Sequence, residues 1–131
     1  HGRWTYVVFA DDGNACGETC LGDLVMLRQV RLVMNEKRSR VQRVLVLNTP
    51  EAVASLVAQL KPEHPDLRVL ADIGAEGARL RDFLQPVGAS AYLIDPLGNW
   101  LMVYQRGADL QTDFKGIKKD LSKLLRLSRI G

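Results

Sequence analysis

Asp11-Asp12-Gly13-Asn14-Ala15-Cys16-Gly17-Glu18-Thr19-Cys20 is the stretch on which the reading of this chain turns. Ahead of it stands Trp4-Thr5-Tyr6-Val7-Val8-Phe9, a nearly continuous apolar, β-branched and aromatic run. Such a run suits a strand buried on both faces of a sheet. Behind it, Leu21, Leu24, Val25, Leu27, Val30, Leu32 and Met34 recur at helical spacing, with Arg28 and Arg31 on a basic stripe. Glu18 and Asp23 fall in the early turns and the arginines later, the order the helix dipole favours. The stretch therefore reads as a strand-to-helix loop, and both cysteines of the chain lie in it, four positions apart.

Farther along, Asn35 to Arg40 is a polar break, and Val41 to Leu47 reads as a second strand. Thr49 is placed to cap a helix with Pro50 at its first position, and Ala52 to Leu60 completes it. Two prolines, Pro62 and Pro65, keep Lys61 to Asp66 irregular. Leu67 to Ala71 is a short third strand, and Gly77 to Leu84 a short helix. Ala91 to Asp95 and Trp100 to Tyr104 make a hairpin around Pro96-Leu97-Gly98-Asn99. Gln105 to Thr112 is read as a loop, and Asp113 to Leu127 as the last helix, with Ile117, Leu121, Leu124 and Leu125 facing a core.

The order β-α-β-α-β-α-β-β-α predicts an α/β fold with a central mixed sheet and helices on both faces. The helix-linked strands pair in parallel through right-handed crossovers, and the hairpin adds an antiparallel edge. That is the thioredoxin-like layout. With 131 residues, 47% apolar and 25% charged, residues 1–131 are expected to form a single domain. The net charge of +3 is mild, and the densest basic group, Lys115 to Arg129, has the helical spacing of a solvated face. No nucleic-acid partner is expected. No apolar run in these residues reaches the length of a membrane span, and none of them is expected to be a signal peptide. His1-Gly2 reads as a cloning remnant and the chain opens almost directly on a strand, so the soluble part of a longer, membrane-anchored protein is the expectation.

On a helix, residues at i and i+4 are neighbours on one face, near the Cα separation of about 4.4–6.8 Å that a disulfide needs. Cys16 and Cys20 could therefore bridge. A bond closing so short a loop staples the fold poorly, which points to exchange rather than to stability. Cys16, nearer the helix start and solvent, is the more reactive candidate. Two unrelated buried cysteines are the bland alternative. Metal binding is the other: two thiolates suit copper(I) but are too few for a structural zinc site. A third ligand would have to come from His64, Met26, Met102, Asp11, Asp12 or Glu18. His64, between its prolines, reads rather as a solvated surface histidine. Met26 reads as core, and Asp11 and Asp12 as turn residues.

The strand, the Cys16-x-x-x-Cys20 pair heading the first helix, and Tyr92-Leu93-Ile94-Asp95-Pro96-Leu97-Gly98-Asn99 together resemble the Sco/SenC proteins. The resemblance implies a thioredoxin-like fold and a part in copper delivery and thiol reduction during cytochrome c oxidase assembly. It also implies a tether to the periplasmic side of the inner membrane, with protein thiols or oxidase assembly factors as partners. The family's copper-ligand histidine has no counterpart: Val87 or Gly88 stands at the matching position, and Gly17 replaces the proline after the first cysteine. A thioredoxin's proline beside the dithiol would fall near Ala89 and is absent, and Gly13 stands where a peroxidase would need threonine. The expectation is a thiol–disulfide redox protein, possible thiol-disulfide oxidoreductase, with Cys16 and Cys20 as its catalytic pair and no certain cofactor. A copper(I)-binding accessory using Cys16 and Cys20 is the first alternative. A redox-inert interaction module is the second.

Overall fold

The computed structural model describes residues 2–10, 16–47, 49–71, 89–107 and 109–128. Strands β1 (Trp4–Phe9), β2 (Val41–Leu47), β3 (Arg68–Ala71), β4 (Ala89–Ile94) and β5 (Trp100–Gln105) form a five-stranded sheet in the order β3-β2-β1-β4-β5. β1 pairs in parallel with β2, Trp4 opposite Val41 and Phe9 opposite Val46. β2 pairs in parallel with β3. β4 runs antiparallel to β1 on the other side, Tyr6 opposite Leu93, and β5 closes the hairpin at the edge. The mixed α/β, thioredoxin-like sheet expected from the sequence is the one observed.

The helices are α1 (Glu18–Leu32), α2 (Val53–Leu60) and α3 (Leu110–Leu127). Alternation decides which face of the sheet they cover. Trp4, Tyr6 and Val8 of β1 pack with Val41 and Leu45 of β2 under Leu24, Leu27 and Val30 of α1, Leu56 and Leu60 of α2, and Ile117 and Leu121 of α3. The opposite face carries a smaller cluster of Val7, Val44, Val46 and Tyr92, flanked by Phe9 and Ile94. That β1 and β2 are buried on both faces explains why they read as unbroken apolar runs.

Local chemistry sets the element ends. Past α1, Asn35 takes a left-handed φ of +56°, a conformation asparagine tolerates, and the chain tightens into the 3-10 turn Asn35–Arg40. Thr49 is extended, and it does not cap a regular helix: Pro50–Ala52 is a 3-10 turn and α2 starts only at Val53. The last helix begins at Leu110, three residues before the sequence-based start at Asp113. The cause is Asp109, whose Oδ1 accepts the Thr112 N–H at 2.7 Å. That same bond holds the Asp109 carboxyl below its usual range. At the other end Arg40 donates to the Leu125 and Ser128 carbonyls, satisfying the helix terminus. The helix expected over 77–84 lies outside the described residues. No described helix is long and apolar enough to cross a membrane.

Candidate functional site

Gly17 is the N-cap of α1, with φ −75°, ψ −167° and no side-chain cap, and its carbonyl accepts the Leu21 N–H at 2.8 Å. Cys16 therefore stands just outside the helix and Cys20 within its first turn. Their Cα atoms are 5.0 Å apart and their sulfurs form a disulfide. Cys20 is buried with Leu24 and Leu27, its neighbours at i+4 and i+7, at 1% exposure. Cys16 is buried as well, at 8%, and is the less buried residue of the two. A positive helix end beside it stabilises a thiolate, whether attacking or leaving.

The other ligand candidates do not join the pair. His64 is not a solvated surface residue: it is 3% exposed, and Arg43 Nη1 stands 3.0 Å from its Nδ1. Burial, and then the neighbouring Arg43 charge, push its pKa below the ordinary value. Met26 is 4% exposed in the core, and Met102 Sδ lies 3.3 Å from the Tyr104 hydroxyl. Glu18 is exposed in the first turn of α1. Asp11, Asp12, Gly13, Val87 and Gly88 lie outside the described residues. Ala89, the position near which a thioredoxin proline would fall, is the first residue of β4. Among the described residues, no three His, Cys, Asp or Glu side chains are grouped so as to hold a metal ion.

One feature near the pair is not legible from spacing. Asp23, three residues past Cys20 and 1% exposed, pairs through Oδ2 with Arg106 Nη2 across 83 positions of sequence. Arg106 also donates to the Ala89 carbonyl at 3.2 Å, tying α1 to the head of β4 and the end of β5. The following Gly107 N–H bonds both Asp113 carboxylate oxygens, at 3.2 and 3.1 Å. A Cβ on residue 107 would meet Asp113 Oδ1, so a larger residue there would displace the Asp113 carboxylate that the Gly107 N–H now bonds. A cleft of ≈ 500 Å³ opens here, between Glu18 and Thr19 of α1 and Asp109 and Asp113 at the start of α3. The only sequence signal was an acidic residue, Asp23, inside an otherwise apolar helix stripe.

Comparison with known proteins matches residues 4–128 to a family described as the transmembrane-like, thioredoxin-like, C-terminal domain. No curated protein sequence matches the chain. Among solved structures, Arabidopsis thaliana ScoI with copper bound is similar at a TM-score of 0.63 and 21% identity, over 93% of this chain and 85% of that one. A putative thioredoxin from Neisseria meningitidis is similar at 0.59 and 18%, over 98% and 78%. A SCO1/SenC family lipoprotein from Bacillus anthracis is similar at 0.60 and 17%, over 95% and 82%. These likenesses show a thioredoxin-like fold.

Proposed function

Starting from the fact that the chain belongs to the transmembrane-like, thioredoxin-like, C-terminal domain family, we propose that it is a thiol–disulfide redox protein assisting cytochrome c oxidase assembly. The observation carrying this reading is the Cys16–Cys20 disulfide at the start of α1, where Gly17 offers no side-chain cap and Cys16 is the less buried residue of the pair. In the exchange, a partner thiolate attacks Cys16 Sγ. The Cys16–Cys20 bond breaks, and Cys20 leaves as a thiolate and takes up a proton. A second partner thiolate then attacks the partner sulfur of the mixed disulfide and releases Cys16. The partner ends as a disulfide and this chain as a dithiol, two electrons having passed; the reverse sequence oxidises the chain. Residues 1–131 act as one domain, tethered to the periplasmic side of the inner membrane, with protein thiols or oxidase assembly factors as partners.

Equilibration in glutathione buffers tests the redox claim. A potential between about −300 and −120 mV supports exchange, and one well below about −300 mV makes the bond structural. In the Cys20→Ser variant, Cys16 should accumulate a glutathione mixed disulfide visible by mass spectrometry. In the native cell, replacing both cysteines by serine should lower assembled cytochrome c oxidase. Unreactive sulfurs would leave the redox-inert interaction module as the reading.

Copper(I) held by the same two sulfurs is the second reading, favoured by the copper in the Arabidopsis ScoI structure. The fit is incomplete. The sulfurs are bonded to each other, and the described residues add no metal-holding group. Anaerobic copper(I) added to the reduced protein should bind as one tight equivalent lost in Cys20→Ser if this reading holds.

A further inference from the structure

The apolar stripe of α3 is longer than the core it packs into. Ile117, Leu121 and Leu125 are buried, and the same stripe continues backward through Phe114 to Leu110, which is 44% exposed. Facing these across the α1–α3 seam are Leu21 and Val25, and together they line an apolar groove of ≈ 580 Å³. Its floor is Gly22, mid-helix, where alanine would favour the helix by about 1 kcal/mol. A Cβ there would meet Leu110 Cδ1 at 3.2 Å, a tight contact against which the exposed Leu110 side chain would have to shift.

The groove does not end at the apolar wall. Gly22 and Leu110 also line the cleft that holds Glu18, Asp109 and Asp113. The cation there, Arg106, is paired with Asp23. The far end of the groove is thus acidic, on a chain whose net charge is +3. Glu18 and Thr19, which form part of its wall, are residues of the five-residue Cys16–Cys20 loop. Apolar trough, acidic mouth and disulfide follow one another along the same helix.

We infer that this groove binds the segment of the redox partner that carries the exchanging cysteine, a segment with apolar side chains flanked by lysine or arginine. The apolar residues fill the trough between α1 and α3, the cations meet Glu18 and Asp109, and the cysteine is delivered to Cys16. This deepens the redox proposal and rests on it only for the last of these three contacts.

The probe is a short synthetic peptide with leucines and lysines around a single serine standing in for cysteine, compared with its glutamate-for-lysine analogue. NMR titration of the oxidised protein should shift Gly22, Leu110 and Phe114, and the lysine peptide should bind about tenfold tighter than its analogue. Raising the salt should narrow that difference. Leu110→Ser and Gly22→Leu should each weaken binding; the first alters only an exposed side chain and keeps the test valid if the second fails to fold. Equal binding of the two peptides, binding of neither, or shifts mapping elsewhere would overturn the inference. So would a concentration-dependent dimer using these residues, which would assign the groove to a second copy. The cysteine version separates the two claims. If the serine peptide binds in the groove but the cysteine peptide does not exchange, the redox reading fails and the groove stands. If the cysteine peptide exchanges equally fast with the protein and its Leu110→Ser variant, the groove fails and the redox reading stands.

Discussion

Arg43 Nη1 stands 3.0 Å from His64 Nδ1 and 2.9 Å from the Leu24 carbonyl, while Nη2 stands 3.0 Å from Asp66 Oδ1. One fully buried guanidinium thereby joins β2 to α1 and to the turn after α2. Because a guanidinium only donates, His64 accepts at Nδ1 and must be neutral.

Acid should therefore act on this joint. The His64 pKa is lowered from 6.5 by burial and by Arg43, so the unfolded chain binds the proton more readily. The sign follows: this contribution is intact above about pH 6.5 and is lost as the pH falls from there toward the folded-state value. Burial alone would raise the Asp66 pKa, but Arg43 and Arg31 bring it below its ordinary value, so its contribution is lost only at still lower pH. Urea midpoints at pH 7.5 and 5.5 should drop more for the protein than for His64→Gln, whose amide oxygen still accepts from Arg43. Parallel drops would refute the joint's role.

Tyr6 offers the opposite case, a polar atom better removed. Its ring is fully buried at the centre of the sheet, and its hydroxyl has no hydrogen-bond partner among the described residues. Tyr6→Phe keeps the ring and deletes the unpaired group, so stability should rise by about 1 kcal/mol. A loss of that size in urea titration would mean that the hydroxyl is satisfied.

Arg106→Met removes the cation from a carboxylate that is 1% exposed. Losing a partner of a buried charge costs up to about 3–5 kcal/mol, and less where, as here, the cation is partly exposed. Without Arg106, the Asp23 pKa rises, and a raised carboxylate pKa favours the folded state as the pH falls. The deficit relative to the parent should therefore shrink between pH 7.5 and 5. An Arg106→Met Asp23→Asn double variant should recover part of the loss at pH 7.5.

Reduction of Cys16–Cys20 opens a loop of only five residues. Chain-entropy reasoning puts the resulting loss of stability at about 2 kcal/mol or less. Denaturant titrations with and without reductant measure it directly. A loss above about 4 kcal/mol would mark the bond as structural and count against exchange.

The parts of the fold legible in the sequence were those written in contiguous residues. Trp4–Phe9 and Val41–Leu47 match their predicted bounds because strands buried on both faces read as unbroken apolar runs. The hairpin was legible because its turn is self-contained: Asp95 Oδ1 accepts the Leu97 and Asn99 N–H groups, and Gly98 takes φ +94°. The start of α3 lies three residues earlier than the loop reading of Gln105 to Thr112 allows, because Asp109 within that stretch is the cap. His64 was misread for a longer-range reason. Two prolines beside a histidine suggest a solvated loop, and nothing local reveals that Arg43, 21 positions earlier, is buried beneath it. The cysteine pair was legible from spacing, whereas Asp23 and Arg106, 83 positions apart, were not.

The disulfide joins the residue just before the Gly17 cap to the first turn of α1, beside the bond from the Leu21 N–H to the Gly17 carbonyl. The bond closes only five residues, so its making or breaking should be felt mainly there, with the described strands and helices keeping their places. A docking protein would meet nearly the same surface in both oxidation states and would have to tell them apart by reactivity, not by shape.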